Sequence, residues 1–413
     1  MFRFLFMSVV LSSFVATADA ADFRVSLYDS LQQYRQSAPP APGKASMTLS
    51  ASRNETVGLQ AVLFNDTDVE MSGVEITVEN MPGVTAHVAA AGAVKVDRNA
   101  IPVDRYFDLL RSTGQESVAS KSFQPYWIDF AVAKDAAPGP RNGNISFKHG
   151  GKTESVSVRI DVSRFVLPVT PTLPMAFAFS KDWIEQFYGR DLTEEELFRS
   201  YDAMLEHRLG PVPMWGSGDD FYKEKTVRYC AERGMNVFIV SVSGMEDAAI
   251  DASLKKVAPK MDMLRELGLL DRTYQFSFDE ILMEANTDKR LPWMRATYEK
   301  FHEKYPGVKR LATSWPDKRL DDFTDVYVVP IKYYHTAMSE KKAVWWYSVG
   351  NAQVTSSPDF RIDFPPIIQR YFFLADWRAG VDGHLYWAAH REWPFNKEFR
   401  TKNYWSVISK NTC

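Results

Sequence analysis

The sequence predicts an α/β barrel of the (β/α)8 TIM type that follows an N-terminal, all-β sandwich. Three observations favour this fold class. Without its first twenty residues the chain keeps about 390, which is enough for two or three domains. Its N-terminal part carries short β-branched and aromatic runs between turn residues. Its C-terminal part carries eight short apolar runs, several of them separated by amphipathic helical stretches.

Residues 1–20 have the three parts of an export signal. Arg3 supplies the positive charge, residues 5–15 a short apolar stretch, and Ala18-Asp19-Ala20 a cleavage site of small residues. We therefore expect cleavage near Ala20 and a secreted or periplasmic protein. An uncleaved anchor is the alternative. No later stretch reaches the ~18 apolar residues of a membrane span, so no integral membrane segment is expected after cleavage.

Residues 21–168 are predicted to form the β-sandwich domain. Short runs at 58–64, 74–78, 126–132 and 155–162 are rich in β-branched and aromatic residues. Turn clusters such as Asn65-Asp66 and Pro138-Gly139-Pro140 separate them, which is typical of an antiparallel sandwich.

A proline-rich segment marks the predicted domain boundary. Pro168, Pro171 and Pro174 stand three residues apart, and proline supports neither a sheet ladder nor a helix interior. Residues 169–174 are therefore predicted to be a stiff extended linker.

Residues 175–413 are predicted to form the barrel. A helix is expected at 193–207, because Thr193-x-x-Glu196 is a capping-box pattern. A second is expected at 292–304, with Pro292 in its first turn. The interval between the sixth and seventh strands is short for a crossover helix. The eight predicted strands are 175–179, 211–215, 236–242, 274–278, 310–314, 325–331, 343–349 and 383–388.

Composition excludes several classes of function. A net charge of −3 argues against a nucleic-acid partner, which usually needs a basic face. Cys230 and Cys413 are the only cysteines, so neither a disulfide framework nor a cysteine-based metal site is expected. The histidines show no ligand spacing, so no metal and no cofactor is expected. Among them, His384 is interpreted as a polar residue that lines the barrel.

The adjacent acids Asp279 and Glu280 are the candidate catalytic residues. They follow the apolar run 274–278 directly, and the C-terminal ends of barrel strands form the mouth where catalytic groups lie. Neighbouring strand residues point to opposite sides, so both acids can serve one site only where the chain leaves the pleat. Alternatively, the two acids cap the following helix.

A second carboxylate for ordinary two-acid hydrolysis is hard to find. In the familiar retaining barrel layout the nucleophile ends the seventh strand, but no acid follows that run until Asp359. Glu392, Asp219 and Asp220 remain candidates. A 2-acetamido sugar carries its own nucleophile, so this pattern favours substrate-assisted hydrolysis. One acid would then protonate the leaving oxygen, with a pKa raised by burial beside a carboxylate, and the other would hold the acetamide N–H.

Six short motifs of the sequence match those of a known family: Phe278-Asp279-Glu280, 344–347, 381–387, Arg53-Asn54-Glu55 with Gln60, 137–139 and 165–168. Through them the chain resembles glycoside hydrolase family 123, the β-N-acetylgalactosaminidases. The resemblance covers nearly the whole mature chain and implies that Asp279 stabilises the acetamido group while Glu280 is the general acid/base. Relatives continue after the eighth strand with a closing helix. This chain has only residues 391–413 there, so a barrel incomplete at its C-terminus is the alternative to a closed one.

Aromatic residues are abundant, at 14% with eleven Trp, and several fall at predicted strand ends. Their faces suit the C–H groups of sugar rings, and a Tyr hydroxyl can hold the acetamide carbonyl. The alternative is packing in the barrel core. Of Trp345 and Trp346, alternation puts one inward and one toward the helices. The candidate substrate-binding residues are Trp183, Trp215, Trp315, Tyr333, Tyr347, Trp387 and Trp393.

Together these features predict a secreted, retaining β-N-acetylhexosaminidase of galactosamine type. Its partner would be a glycan that contains an N-acetylated amino sugar. Two alternatives stay open. One is a non-catalytic glycan-binding protein on a degenerate hydrolase scaffold. The other is a two-carboxylate glycosidase that acts on a sugar without an acetamido group and pairs Glu280 with Glu392 or Asp220.

Overall fold

A computed structural model describes residues 22–96, 104–111, 113, 117–215, 218–282, 287–331, 342–348, 360 and 364–389. Twelve strands of the N-terminal part come first in the chain. They are β1 (Phe23–Asp29), β2 (Tyr34–Arg35), β3 (Ser46–Arg53), β4 (Thr56–Asn65), β5 (Met71–Ser72), β6 (Glu75–Val78), β7 (Val84–Val96), β8 (Asp104–Arg111), β9 (Ser117–Val118), β10 (Ser122–Val132), β11 (Gly139–His149) and β12 (Lys152–Val166).

Two sheets pack face to face in this part. A six-stranded antiparallel sheet has the order β1-β4-β10-β7-β8-β2, and a four-stranded sheet has the order β3-β12-β11-β6. Alternate residues of β4 and β10, among them Leu63 and Ile128, face Phe147 and Ile160 of the second sheet. The predicted strands at 58–64, 126–132 and 155–162 lie within β4, β10 and β12, and the one at 74–78 begins one residue before β6. One pairing departs from an antiparallel sandwich, because β3 runs parallel to β12.

The C-terminal part forms one eight-stranded parallel sheet. Its order is β14-β13-β20-β19-β18-β17-β16-β15, so the chain order runs round a nearly closed barrel whose open edges are β14 and β15. Each predicted apolar run overlaps one of these strands, and the predicted fold class is confirmed. The strands are β13 (Met175–Ala178), β14 (Pro211–Val212), β15 (Phe238–Val240), β16 (Thr273–Phe276), β17 (Lys309–Thr313), β18 (Val326–Pro330), β19 (Ala343–Ser348) and β20 (Gly383–Tyr386).

Helices connect most of the described barrel strands. Residues 314–325, between β17 and β18, make the crossing through turns without a helix. Most of the sixth-to-seventh interval, which the sequence marks as short, lies outside the described residues. The helices are α1 (Lys181–Tyr188), α2 (Glu194–Leu205), α3 (Glu224–Glu232), α4 (Asp247–Glu266), α5 (Thr287–Lys304) and α6 (Pro366–Ala379), with a 3₁₀ turn at Leu270–Arg272.

The two predicted helix starts have different outcomes. The capping box of α2 is confirmed, because the Thr193 side chain accepts from the Glu196 N–H while the Glu196 side chain accepts from the Thr193 N–H. The predicted start of α5, at Pro292, is wrong. The helix begins at Thr287, which places Pro292 in its interior, where proline leaves one main-chain carbonyl without its helical donor.

The pleat of β19 and β20 decides which side chains fill the barrel. Trp345 points inward and packs edge-on against Tyr274, with 4.8 Å between ring centroids. Trp346 belongs to the outer cluster between sheet and helices. Gly383 makes the inward Trp345 possible, since a Cβ there would lie 2.4 Å from the indole ring.

His384 faces outward, which corrects its interpretation as a barrel-lining residue. Its neighbour Leu385 belongs to the same apolar cluster inside the barrel as Trp345. Adjacent strand residues point to opposite faces of the sheet, so His384 points outward to α6. There its Nδ1 lies 3.0 Å from Asp376 Oδ2, with both side chains fully buried. The ring of Phe372 packs edge-on against it at 4.6 Å between centroids.

The segment between the two parts has no regular structure from the end of β12 to the start of β13. It is tied to the barrel by Asn236, whose side-chain amide donates to the carbonyls of Pro171 and Leu173. Within the described residues, no helix combines the length and the hydropathy needed to cross a membrane.

Candidate active site

The chain leaves the extended conformation just after β16. Phe278 and Glu280 both have left-handed backbones, with φ of 58° and 45°. Such angles are uncommon for residues with a side chain and occur often at functional sites. Because the chain leaves the pleat here, Asp279 and Glu280 are not forced to opposite faces of the sheet and can share one site. Because α5 begins at Thr287, the two acids lie outside its first turn, which removes their interpretation as its caps.

Asp279 is held by a residue of the neighbouring strand β17. The Thr313 hydroxyl donates to Asp279 Oδ1 at 2.7 Å. The Thr313 hydroxyl oxygen also accepts a hydrogen bond from the backbone N–H of Glu280 at 2.9 Å. A side chain 33 residues further along the chain therefore contacts both members of the acidic pair.

Glu280 also has a partner on β19, which lies three strands away from β16 in the sheet. Tyr347, near the end of β19, donates its hydroxyl to Glu280 Oε1 at 2.6 Å. Its ring is buried in the inner cluster, so the hydroxyl is presented from a fixed position. A short hydrogen bond to a carboxylate orients that carboxylate strongly.

A tyrosine of α5 joins the ends of the two strands that carry this arrangement. The buried Tyr298 hydroxyl accepts the N–H of Ser277 at 3.2 Å and donates to the carbonyl of Leu311 at 2.6 Å. Ser277 and Leu311 precede Asp279 and Thr313 by two residues each. Tyr298 thus fixes how far β16 and β17 are offset at the level of the acids.

Burial raises the pKa of Asp279 above the usual range of aspartate. The hydrogen bond from Thr313 acts in the opposite direction, and the nearby Glu280 charge adds to the rise. Arg290, in the first turns of α5, lowers this pKa through its positive charge. The net result is a carboxylate that binds a proton more tightly than a solvated one.

The structure brings some of the predicted aromatic residues together. The Trp215 indole N–H donates to the carbonyl of Trp387 at 2.7 Å, and its ring meets that of Phe276, three residues before Asp279, at 6.4 Å. Trp183 lies in α1, and Trp315 follows β17 by two residues; both are partly exposed. Tyr333 and Trp393 lie outside the described residues.

The alternative carboxylates after β14 are already paired with lysines. Their side chains are a little over half exposed, so water also screens them. Glu392 lies outside the described residues. Asp219 binds Lys256 at 3.3 Å and Lys260 at 2.7 Å, and Asp220 binds Lys223 at 3.2 Å and lies 3.8 Å from Lys181.

Sequence reasoning missed Thr313, Tyr298 and Arg290. Thr313 carried a usable signal, because it is a polar residue at the C-terminal end of the strand that follows the acids. Tyr298 and Arg290 stand in an amphipathic helix and carried none. Among the residues that the structure describes, no three His, Cys, Asp or Glu side chains are grouped as metal ligands.

Comparison with solved structures finds a similar fold. A family 123 glycoside hydrolase from Clostridium perfringens, whose structure concerns glycolipid glycan hydrolysis, aligns with a TM-score of 0.64 at 13% identity. The alignment covers 88% of this chain and 78% of that one. At this identity the likeness shows a common fold and no more.

Two further structures align with much lower TM-scores. A Bacteroides uniformis β-glucuronidase has a TM-score of 0.37 at 10% identity, covering 81% of this chain and 44% of that one. A family 20 exo-β-N-acetylglucosaminidase from Vibrio harveyi has a TM-score of 0.25 at 9% identity, covering 84% of each. No protein-family model matches the sequence. A sequence search of curated proteins finds no match either.

Proposed function

We propose that this chain is a glycoside hydrolase, and more specifically an exported, retaining β-N-acetylhexosaminidase that acts on galactosamine-type residues. The observation that carries the proposal is the left-handed turn at the mouth of the barrel, which presents Asp279 and Glu280 side by side. Each carboxylate accepts a hydroxyl from a different strand, Thr313 or Tyr347. The similarity in fold to a family 123 glycoside hydrolase supports the same reaction class.

Substrate-assisted hydrolysis uses the two acids differently. Asp279 accepts the acetamide N–H of the substrate, and its raised proton affinity makes it a strong acceptor. The acetamide carbonyl oxygen then attacks the anomeric carbon while the bond from that carbon to the glycosidic oxygen breaks. Glu280 gives its proton to the departing oxygen.

The second half of the reaction restores the enzyme. Glu280, now a carboxylate, takes a proton from water as the water attacks the anomeric carbon and the bond to the acetamide oxygen breaks. Two displacements at one carbon retain its configuration. Tyr347 keeps Glu280 in one orientation for both proton transfers.

The ring of Trp215 lies near this turn, with its centroid 6.4 Å from that of Phe276. We assign it to the face of the sugar ring, where C–H groups pack on indole. The export signal predicted at residues 1–20 agrees with a glycan substrate outside the cytoplasm.

The test is hydrolysis of three nitrophenyl glycosides by the purified chain. We expect cleavage of the N-acetylgalactosaminide above the N-acetylglucosaminide, and little cleavage of the plain galactoside. Glu280→Gln should lower kcat/KM by at least about 100-fold, because general acid–base catalysis contributes about 10²- to 10⁴-fold. A thiazoline that mimics the oxazoline intermediate should inhibit.

Asp220→Asn is the matched control for Glu280→Gln. Asp220 also follows a barrel strand, eight residues after β14, but it pairs with lysines, so we expect it to be dispensable. Cleavage of only the plain galactoside, together with loss of activity in Asp220→Asn, would instead establish a two-carboxylate glycosidase. Glycan binding without turnover would establish the non-catalytic alternative.

A further inference from the structure

One hydroxyl group stands between the two acidic residues. Thr313 Oγ1 lies 2.7 Å from Asp279 Oδ1 and 2.9 Å from the Glu280 backbone nitrogen. Thr313 itself is buried, with 2% of its surface exposed. The position of Thr313 is fixed by its own strand. The carbonyl of Leu311, two residues earlier on β17, accepts a hydrogen bond from the Tyr298 hydroxyl.

The direction of the Thr313 proton follows from these two contacts. A hydroxyl has one proton to donate. The Glu280 nitrogen is a donor, so Thr313 Oγ1 must be its acceptor and the hydroxyl proton is left for Asp279 Oδ1. The two hydrogen bonds therefore form as a chain from the Glu280 N–H through the hydroxyl to the Asp279 carboxylate.

We propose that Thr313 is the positioning residue of this site, whose single hydroxyl orients the Asp279 carboxylate and holds the backbone that carries Glu280. The left-handed φ of 45° at Glu280 is unfavourable for a residue with a side chain, and the hydrogen bond to its N–H helps to retain it. This inference rests on the proposed function, because it assigns Thr313 a part in the same reaction.

Other groups also act on Asp279. Its own turn contributes the Glu280 charge and the Glu280 backbone N–H, and α5 contributes the Arg290 charge. The hydrogen bond from Thr313 stabilises the ionised form of Asp279, whereas burial favours its protonated form. Removing it should therefore raise the pKa of Asp279, so that the carboxylate needed to accept the acetamide N–H is lost at a higher pH.

The experiment compares Thr313→Val, which keeps the shape and removes the hydroxyl, with Thr313→Ser, which keeps the hydroxyl. Thr297→Val is the matched control, because Thr297 is fully buried on α5 and its hydroxyl has no hydrogen-bond partner among the described residues. We expect Thr313→Val to lower kcat by about 10- to 100-fold, the range for a hydrogen bond to a charged group. The acid limb of its pH profile should move to higher pH. Thr313→Ser and Thr297→Val should retain wild-type profiles.

A second readout does not depend on the reaction. The ¹³C signal of the Asp279 carboxyl, assigned with Asp279→Asn, gives its pKa in the folded protein without substrate. That pKa should rise in Thr313→Val and stay near wild type in Thr313→Ser. If Thr313→Val does not fold, Thr313→Ala takes its place.

The outcomes separate this inference from the proposed function. An unchanged carboxyl pKa in the hydroxyl-free variant, or equal losses in Thr313→Ser and Thr313→Val, would overturn the role of Thr313. If the pKa rises but the wild-type chain cleaves no acetamido sugar, Thr313 still positions Asp279 and the proposed function fails.

Discussion

Hydroxyl groups from two different strands hold the carboxylates of the site. Thr313 comes from β17 and Tyr347 from β19, while Asp279 and Glu280 follow β16. Neither hydroxyl is near the acids in sequence, and each serves one acid at its side chain. At the scale of single residues, this arrangement costs stability, because Asp279 is partly buried and desolvation disfavours its ionised form.

The raised pKa of Asp279 makes the stability of the protein depend on pH. A carboxyl whose pKa is higher in the folded than in the unfolded state contributes stability below the unfolded pKa, about 3.9, and loses it as the pH rises through the folded pKa. We therefore expect Asp279→Asn, which stays neutral, to have a higher Tm than wild type at neutral pH. The difference should shrink toward zero at about pH 3.

Thermal unfolding at both pH values measures this effect. Asp262→Asn is the control, because Asp262 is mostly exposed on α4 and such changes usually alter stability by less than about 0.5 kcal/mol. Equal Tm values for Asp279→Asn and wild type at neutral pH would contradict the prediction.

Tyr347 should matter for turnover more than for folding. Tyr347→Phe removes the 2.6 Å hydrogen bond to Glu280 and keeps the buried ring. We expect kcat to fall by about 10- to 100-fold with little change in Tm, since the lost bond is made to a charged group. The matched control is Tyr327→Phe, which removes a hydroxyl bonded to Asp321 on the outer face of β18. Equal kinetics for the two variants would argue against the role of Tyr347.

At the scale of elements, the barrel is assembled by fitting neighbouring strands to the large side chains inside it. Gly383 on β20 lies opposite Trp345 on β19 in the sheet register. A methyl group at Gly383 would come within 2.4 to 2.6 Å of three atoms of the indole. Since Trp345 also packs against Tyr274, the ring cannot move aside without disturbing β16, the strand that leads to the acids.

Gly383→Ala should therefore destabilise the barrel by overpacking. We expect the free energy of unfolding to fall by about 1–3 kcal/mol, the usual range for an added core methyl group. Gly307→Ala is the control, since nothing lies within 4 Å of its added methyl group, and it should be neutral or stabilise by up to about 1 kcal/mol. Urea unfolding of both variants gives the comparison. An unchanged midpoint for Gly383→Ala would refute the packing argument.

At the scale of the whole molecule, the β-sandwich and the barrel are joined by more than the connecting segment. Arg208, after α2, donates to the main-chain carbonyls of Asn54 and Pro168, both at 2.8 Å. Gly234 lies so close to the Val169 carbonyl that a Cβ would stand 2.3 Å from its oxygen. The connecting segment is thus held against the barrel along its length, which suits a sandwich that supports the barrel.

Arg208→Ala should loosen this junction. The hydrogen bonds to Asn54 and Pro168, and a longer one to Val169, are lost, so we expect the free energy of unfolding to fall by about 1–2 kcal/mol. Calorimetry should show the transitions of the two parts moving apart, while the kcat of the folded enzyme changes little. Arg199→Ala, which removes only a surface ion pair of α2, should leave the thermogram unchanged. Coincident transitions in both variants would mean that Arg208 does not couple the two parts.

Much of the fold could be predicted because strands and helices leave local patterns. Each apolar run of the C-terminal half overlaps a barrel strand, and the capping box at Thr193 marks the start of α2 within a residue. The start of α5 could not be placed, because Pro292 suggests a first turn and only the tertiary structure extends the helix back to Thr287. The parallel pairing of β3 with β12 also lacks a local signal.

The candidate site divides in the same way. Adjacent acids at the end of a strand are visible in the sequence, so Asp279 and Glu280 could be singled out. Which residues hold them is a matter of strand register and barrel closure, which bring Thr313 and Tyr347 to the acids across 34 and 67 residues. The domain boundaries at 21–168, 169–174 and 175–413, the export signal and the roles of the acids stay predictions.

By itself, the sequence determined the class of fold and the place of the acids, because local patterns of apolar residues mark the buried strands and helices. Only the tertiary structure decided that Trp345 rather than Trp346 fills the barrel, that His384 faces a helix, and that one threonine joins both acids. These choices depend on the phase of each pleat and on contacts between distant strands, and side-chain period alone cannot fix either.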